Sequence, residues 1–133
     1  MNGATVKVYS RAKDGLKMLS DHFKVNEFAC KDGTDTIFIS PALVTTLEQI
    51  RKHFGAPVII NSGYRTETYN KKIGGATYSQ HKYGTAADIV VKGVSPAEVA
   101  KYAETILVGM GGIGIYNSFT HIDVRKIKSR WKG

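Results

Sequence analysis

Apolar positions along the chain follow two rhythms, one helical and one alternating, and they mark out its elements. Between Ser40 and Gly55, Leu43, Leu47, Ile50 and Phe54 recur at i, i+4, i+7 and i+11, a single buried stripe on a helix. Ser40 suits the N-cap because its hydroxyl can accept a first-turn N–H. Pro41 suits the first helical position and Gly55 the left-handed C-terminal cap. Ser95, Pro96 and Glu98 repeat that start, with Glu98 placed to close a capping box, and Val99, Ala103 and Ile106 form the stripe. A shorter helix, about Glu67 to Ile73, is expected to end at Gly74-Gly75.

Strand candidates fill the gaps: Thr36–Ile39, Val58–Ile60 before the turn at Ser62-Gly63, and Ala86–Val91. Gly112–Tyr116 and Phe119–Arg125 read as a hairpin across Asn117-Ser118. Phe23, Val25 and Phe28 suit a short irregular segment ahead of the turn Lys31-Asp32-Gly33. Residues 1–19 are polar and basic and read as a loosely attached arm, with residues 20–133 as the domain. Helices and strands interleave, yet the last two strands are too closely joined to be parallel. The expected fold is α+β, a largely antiparallel sheet with flanking helices.

Composition narrows the classes. A chain of 133 residues fits one domain, and a hydrophobic share of 42% argues against wholesale disorder. The single cysteine, Cys30, excludes an internal disulfide framework and a multi-thiolate zinc site. No apolar run reaches the 18 or more residues of a membrane span, so membrane insertion is not expected. Nineteen Lys and Arg against eleven Asp and Glu give +8, which makes a polyanion a natural neighbour without saying which.

Polar residues intrude where the pattern calls for apolar ones. Asp88 lies inside Ala86-Ala87-Asp88-Ile89-Val90-Val91, and a carboxylate there needs a partner; the bland reading is a strand-edge Asp paired with Lys or Arg. His81 lies seven residues earlier in Ser79-Gln80-His81-Lys82-Tyr83-Gly84-Thr85, where Gly84 allows the chain to turn back toward the strand. In Thr120-His121-Ile122-Asp123-Val124-Arg125, alternation puts His121, Asp123 and Arg125 on one face. The bland reading of that face is a half-exposed strand. Gly112 and Gly114 give the neighbouring strand a face without side chains, so a ligand's backbone could approach there. Two histidines and an aspartate with a fourth position open form the pattern of a catalytic zinc.

Ser62-Gly63-Tyr64-Arg65, then Ser79-Gln80-His81 with Gly84, Ala86 and Asp88, then His121-Ile122-Asp123, resemble the zinc D-alanyl-D-alanine carboxypeptidase-like peptidases. That family shares its fold with lysostaphin-type peptidases and the hedgehog signalling domain. The resemblance runs from about Leu19 to Trp131, and it is closest to small bacterial and phage members that cut peptidoglycan stem peptides. It implies Zn2+ held by His81, Asp88 and His121, with Arg65 contacting a substrate carboxylate and Ser79 and Gln80 lining the same cleft. Many relatives carry an acid a few residues before the last ligand, or a His-x-His pair. Here Ser118, Phe119 and Thr120 precede His121, and the pair is His121 with Asp123. Two assignments stay open: His121 ligates while Asp123 is the base or an outer partner, or Asp123 ligates while His121 assists. The first preserves the family's ligand set and is preferred.

The expected function is a zinc metallopeptidase acting on stem peptides, as a D-Ala-D-Ala carboxypeptidase or an L-Ala-D-Glu-type endopeptidase, with Asp123 as general base. An anionic cell wall would attract the basic chain, and a monomer is expected. A non-catalytic zinc-containing wall-binding module of the same fold is the alternative. A specific nucleic-acid partner is not expected: Lys126, Lys128, Arg130 and Lys132 read as a solvated face with no aromatic platform. Met1-Asn-Gly-Ala-Thr-Val-Lys lacks the apolar core of a secretory signal, although the substrate is external. A phage-type lysin released from the cytoplasm would reconcile the two, as would a trimmed chain or a module of a larger protein.

Overall fold

In the computed structural model, residues 5–133 are described. In chain order the elements are β1 (Lys7–Ser10), α1 (Arg11–Asp14), β2 (Met18–Ser20), β3 (Phe23–Lys24), β4 (Thr36–Ile39), α2 (Pro41–Phe54), β5 (Val58–Ser62), α3 (Glu67–Lys72), β6 (Ala86–Val91), α4 (Pro96–Ile106), β7 (Gly112–Ile115), β8 (Thr120–Asp123) and β9 (Ser129–Lys132). Single 3₁₀ turns cover Val25–Phe28 and Gln80–Tyr83. The expected caps are present. Ser40 Oγ accepts from Leu43 N and Ser95 Oγ from Glu98 N, and Gly55 ends α2 at φ +59°.

The main sheet runs in the order β5-β6-β8-β7-β9, antiparallel except for β7 with β9. Alternation sorts its two faces. Ala87, Ile89, Val91, Ile113, Ile122 and Val124 join the core with Leu43, Leu47 and Ile50 of α2 and Val99 and Ala103 of α4. Asp88, His121, Asp123, Gly112 and Gly114 therefore point away from that core, to the other face. Register lines up the functional residues across the strands. Ser62 pairs with Asp88, Asp88 with His121, His121 with Gly114, and Gly114 with Trp131. The α+β reading with a largely antiparallel sheet holds.

Three expectations need correction. Among the described residues, the N-terminal segment is not a loose arm; the arm's residues 1–4 lie outside the described residues. β1 pairs with β4 over its full length, and Asp35 ties the turn down by accepting from Ser10 Oγ at 2.7 Å and Ala12 N at 2.8 Å. The basic C-terminal run is not simply a solvated face. Its last part is strand β9, and Arg130 is drawn in to donate to the carbonyls of Gly111, Leu107 and Met110. The glycine face of β7 is not open to a ligand, because Asp123's carboxylate lies over Gly112 and Trp131's indole over Gly114.

Glu48 anchors the β2–β3 hairpin to α2. It is buried and accepts from Ser20 Oγ at 2.6 Å, His22 N at 2.9 Å and His22 Nδ1 at 2.6 Å. Burial raises its pKa, but the hydrogen bonds from Ser20 and His22 outweigh burial and leave it below the usual value. A lowered folded pKa means that this contribution is present above the unfolded pKa and fades as pH falls through the folded one. Glu48→Ala should cost about 1–3 kcal/mol, since three donors lose their acceptor. A lower urea midpoint with zinc content unchanged is the expected result, and an unchanged midpoint would show that the hairpin is held by other contacts.

Candidate metal centre

Three elements deliver the polar cluster. Gly84, at φ +75°, closes the 3₁₀ turn Gln80–Tyr83, and that turn swings His81 over the strand face. β6 supplies Asp88 and β8 supplies His121, adjacent in register. All three residues are buried, and one ligand atom from each lies within 4.8 Å of the others. His81 Nε2 is 3.3 Å and His121 Nδ1 is 3.0 Å from the same Asp88 oxygen, Oδ1.

The hydrogen-bond network assigns the His81 ring proton and flanks His121 with two acceptors. His81 Nδ1–H donates to the Gly63 carbonyl at 2.8 Å, so Nε2 carries the bare lone pair. His121 has a carboxylate at each ring nitrogen, Asp123 Oδ2 at 2.8 Å from Nε2 and Asp88 Oδ1 at 3.0 Å from Nδ1, and a proton on Nε2 leaves Nδ1 bare toward Asp88. Two bare imidazole nitrogens then converge on one carboxylate oxygen, and three acceptors that close demand a cation between them. Either a proton on His121 or a metal ion satisfies that demand. Two nitrogens and a carboxylate oxygen form a donor set that fits zinc, with the outer partner on His81 that metal-bound imidazoles ordinarily have.

Electrostatics agree with the geometry. Burial opposes ionisation of Asp88, yet its contacts with the His121 and His81 rings hold its pKa well below the usual carboxylate range. Burial pushes the His81 pKa down against the pull of Asp88, so its ring stays neutral and able to ligate. Burial acts the same way on His121, but Asp123 and Asp88 outweigh burial and raise its pKa. Burial likewise opposes ionisation of Asp123, and His121 and Arg125 outweigh it, so this carboxylate is firmly ionised.

Arg65 stands at the edge of the cluster. Nη2 is 3.3 Å from Asp88 Oδ2, Nε donates to Ser62 Oγ at 3.1 Å, and Nη1 donates to Asn70 Oδ1 at 3.2 Å. Three of its five N–H donors are used in this way, and the side chain is largely buried. Ser79 and Gln80 hold the 3₁₀ turn. Ser79 Oγ accepts from His81 N at 3.3 Å, and Gln80 Oε1 accepts from Thr85 Oγ1 at 2.9 Å. Asp123 is completely buried, with Arg125 on both of its oxygens.

Sequence reasoning did not anticipate the supporting residues. Ser62 and Asn70 hold Arg65 from three and five residues away, whereas the Gly63 carbonyl on His81 is backbone and Trp131 reaches His121 from another strand. Only Arg125 left a signal, because it shares a strand face with Asp123 at i+2.

Fold and site together define a metal-binding α+β domain whose His-Asp-His cluster sits on the sheet face opposite α2 and α4. The chain belongs to the peptidase M15 family, whose model matches residues 21–123. It is also similar to a zinc D-Ala-D-Ala carboxypeptidase of Streptomyces albus G, 36% identical over 88 residues. That alignment covers 61% of this chain and 34% of the relative, so the chain spans about a third of that protein's length.

Proposed function

We propose that the chain is a zinc metallopeptidase that cleaves peptidoglycan stem peptides, either as a D-Ala-D-Ala carboxypeptidase or as an L-Ala-D-Glu-type endopeptidase. One observation carries the reading: a buried His81, Asp88 and His121 cluster with the Arg65 guanidinium 3.3 Å from the carboxylate ligand. A cation-binding triad and a carboxylate-binding fork are thus neighbours, as cleavage beside a free carboxylate requires. The M15 membership and the relative's printed activity support the same reading.

His81 Nε2, Asp88 and His121 would hold the ion. Zinc bound there supplies a Lewis acid that polarises the scissile carbonyl and acidifies water beside it. Arg65 has two N–H donors left for a substrate carboxylate, and it keeps Asp88 aligned through its third contact. Asp123, expected as the base, is buried and held by Arg125, so its influence on proton transfer runs through the proton at His121 Nε2. The +8 charge favours an anionic wall, where it concentrates the protein near substrate. A lysin released from the cytoplasm remains our reading of where it acts, supported by the substrate class alone.

The same burial of Asp123 favours a second reading, a zinc-bearing module that binds wall peptides without cutting them. Digestion of purified peptidoglycan, with the new termini identified by mass spectrometry, separates the two readings. New D-Ala or L-Ala termini are expected, and an intact wall after zinc loading would leave only the binding module. In the same assay activity should fall from wild type to Arg65→Lys to Arg65→Ala with zinc content nearly constant, because lysine keeps the charge but not the fork. A substrate amidated at its carboxylate should be cut poorly. Equal cleavage of acid and amide would reduce Arg65 to a brace for Asp88.

A further inference from the structure

The two glycines of β7 show what stands behind the metal centre. A side chain at Gly112 would collide with the Asp123 carboxylate, and one at Gly114 would collide with the Trp131 indole. These two groups form a layer behind His121. Asp123 Oδ2 meets His121 Nε2 at 2.8 Å. Arg125 grips the same carboxylate through Nη2 at 2.6 Å and, on the other oxygen, through Nε at 2.9 Å and its own backbone N–H at 3.0 Å. The Arg125 guanidinium lies 5.4 Å from the centre of the Trp131 ring, and that ring lies 5.0 Å from the His121 ring. Trp131 is itself fixed by an Nε1–H bond to the Tyr116 hydroxyl at 2.9 Å.

Asp123 is the fully buried member of this layer, and Arg125 and Trp131 are half-buried around it. A carboxylate with no exposed surface cannot reach a substrate, but it can decide which nitrogen of His121 keeps its proton. An ionised acceptor at Nε2 fixes the proton there and turns Nδ1 toward Asp88. Arg125 balances the charge that burial would otherwise make costly. Trp131, brought in by the parallel strand β9, packs over Gly114 and beside the His121 ring.

We propose that Asp123 is a positioning residue, and that Asp123, Arg125 and Trp131 form a brace that fixes the proton and ring orientation of His121 for metal binding. This rests on the metal reading of His81, Asp88 and His121, and it makes β9 part of the metal centre.

The test uses the whole protein and does not use turnover. Long-range ¹H–¹⁵N spectra of the histidine rings should show, in zinc-loaded wild type, His121 protonated at Nε2 and metal-shifted at Nδ1. Metal on Nε2 overturns the brace. Failure of the chain to take up zinc at all removes the metal reading itself, and the brace with it. Asp123→Ala should lose the single Nε2–H form and weaken zinc affinity by about 10–100-fold, the usual cost of losing an outer partner of a metal-bound histidine. Asp123→Asn still offers an acceptor oxygen, so it should keep that proton and lose less affinity. It also serves if the alanine variant does not fold. Trp131 is the only tryptophan, so its fluorescence should change as zinc binds. Unchanged affinity together with an unchanged His121 proton in both variants would refute the proposal.

Discussion

His81→Ala is expected to abolish near-stoichiometric zinc binding, the largest effect any single substitution should have on this site. The ring supplies one of three protein ligand atoms. It also arrives with its proton already placed, because Nδ1–H is committed to the Gly63 carbonyl and Nε2 is bare. Alanine removes the nitrogen and leaves Asp88 Oδ1 facing one imidazole in place of two. The loss should exceed the roughly 10–100-fold cost of removing an outer-layer partner. His53→Ala is the matched control, since His53 stacks on Tyr102 at 3.7 Å between ring centres and contributes nothing to the cluster. Zinc per chain, measured on protein purified without chelator, should fall toward zero in the first variant and stay near one in the second. Equal zinc in the two would mean that the metal sits elsewhere.

Gly84→Ala should be the most damaging of the small-residue changes. Gly84 sits at φ +75°, a region L residues adopt only with strain, and a methyl group there would run into the Phe38 carbonyl of β4. The position is also tied by the Ser40 N–H, which donates to the Gly84 carbonyl at 2.9 Å. Left-handed strain of about 1–2 kcal/mol adds to an overpacking cost of about 1–3 kcal/mol. Gly93→Ala separates the two contributions. Gly93 has φ +77° with open space around the position, so only the strain applies. Denaturant titration should show the larger loss at Gly84, together with weaker zinc binding, because the turn it closes carries His81. Equal losses at the two glycines would show that contact with β4 is not what Gly84 serves.

Local chemistry made much of the molecule legible. The caps at Ser40 and Ser95 and the stripes behind them depend only on residues within a few turns, so α2 and α4 appear where the sequence places them. Strict alternation at His121-Ile122-Asp123 assigns each side chain to a face without reference to a partner strand. Asp88 stood out because a charge inside an apolar strand has to be explained by a partner.

The sequence by itself determined α2 to α4 and β4 to β8, the split between apolar and polar faces, and the residues whose chemistry did not fit a bland core. It could not determine what meets across the sheet, since pairing joins segments whose separation along the chain carries no local signal. Lys7–Ser10 looked like an arm because its partner, Thr36–Ile39, lies some distance along the chain. Ser129–Lys132 looked like a solvated face because its parallel pairing with β7 leaves no hairpin signature. The bare face of Gly112 and Gly114 was visible as a gap, and only packing showed that Asp123 and Trp131 fill it. The same limit governed Asp123. Alternation placed it beside His121, but its burial and its grip by Arg125 are properties of the folded layer, and they decide whether a carboxylate can reach substrate or only its neighbour.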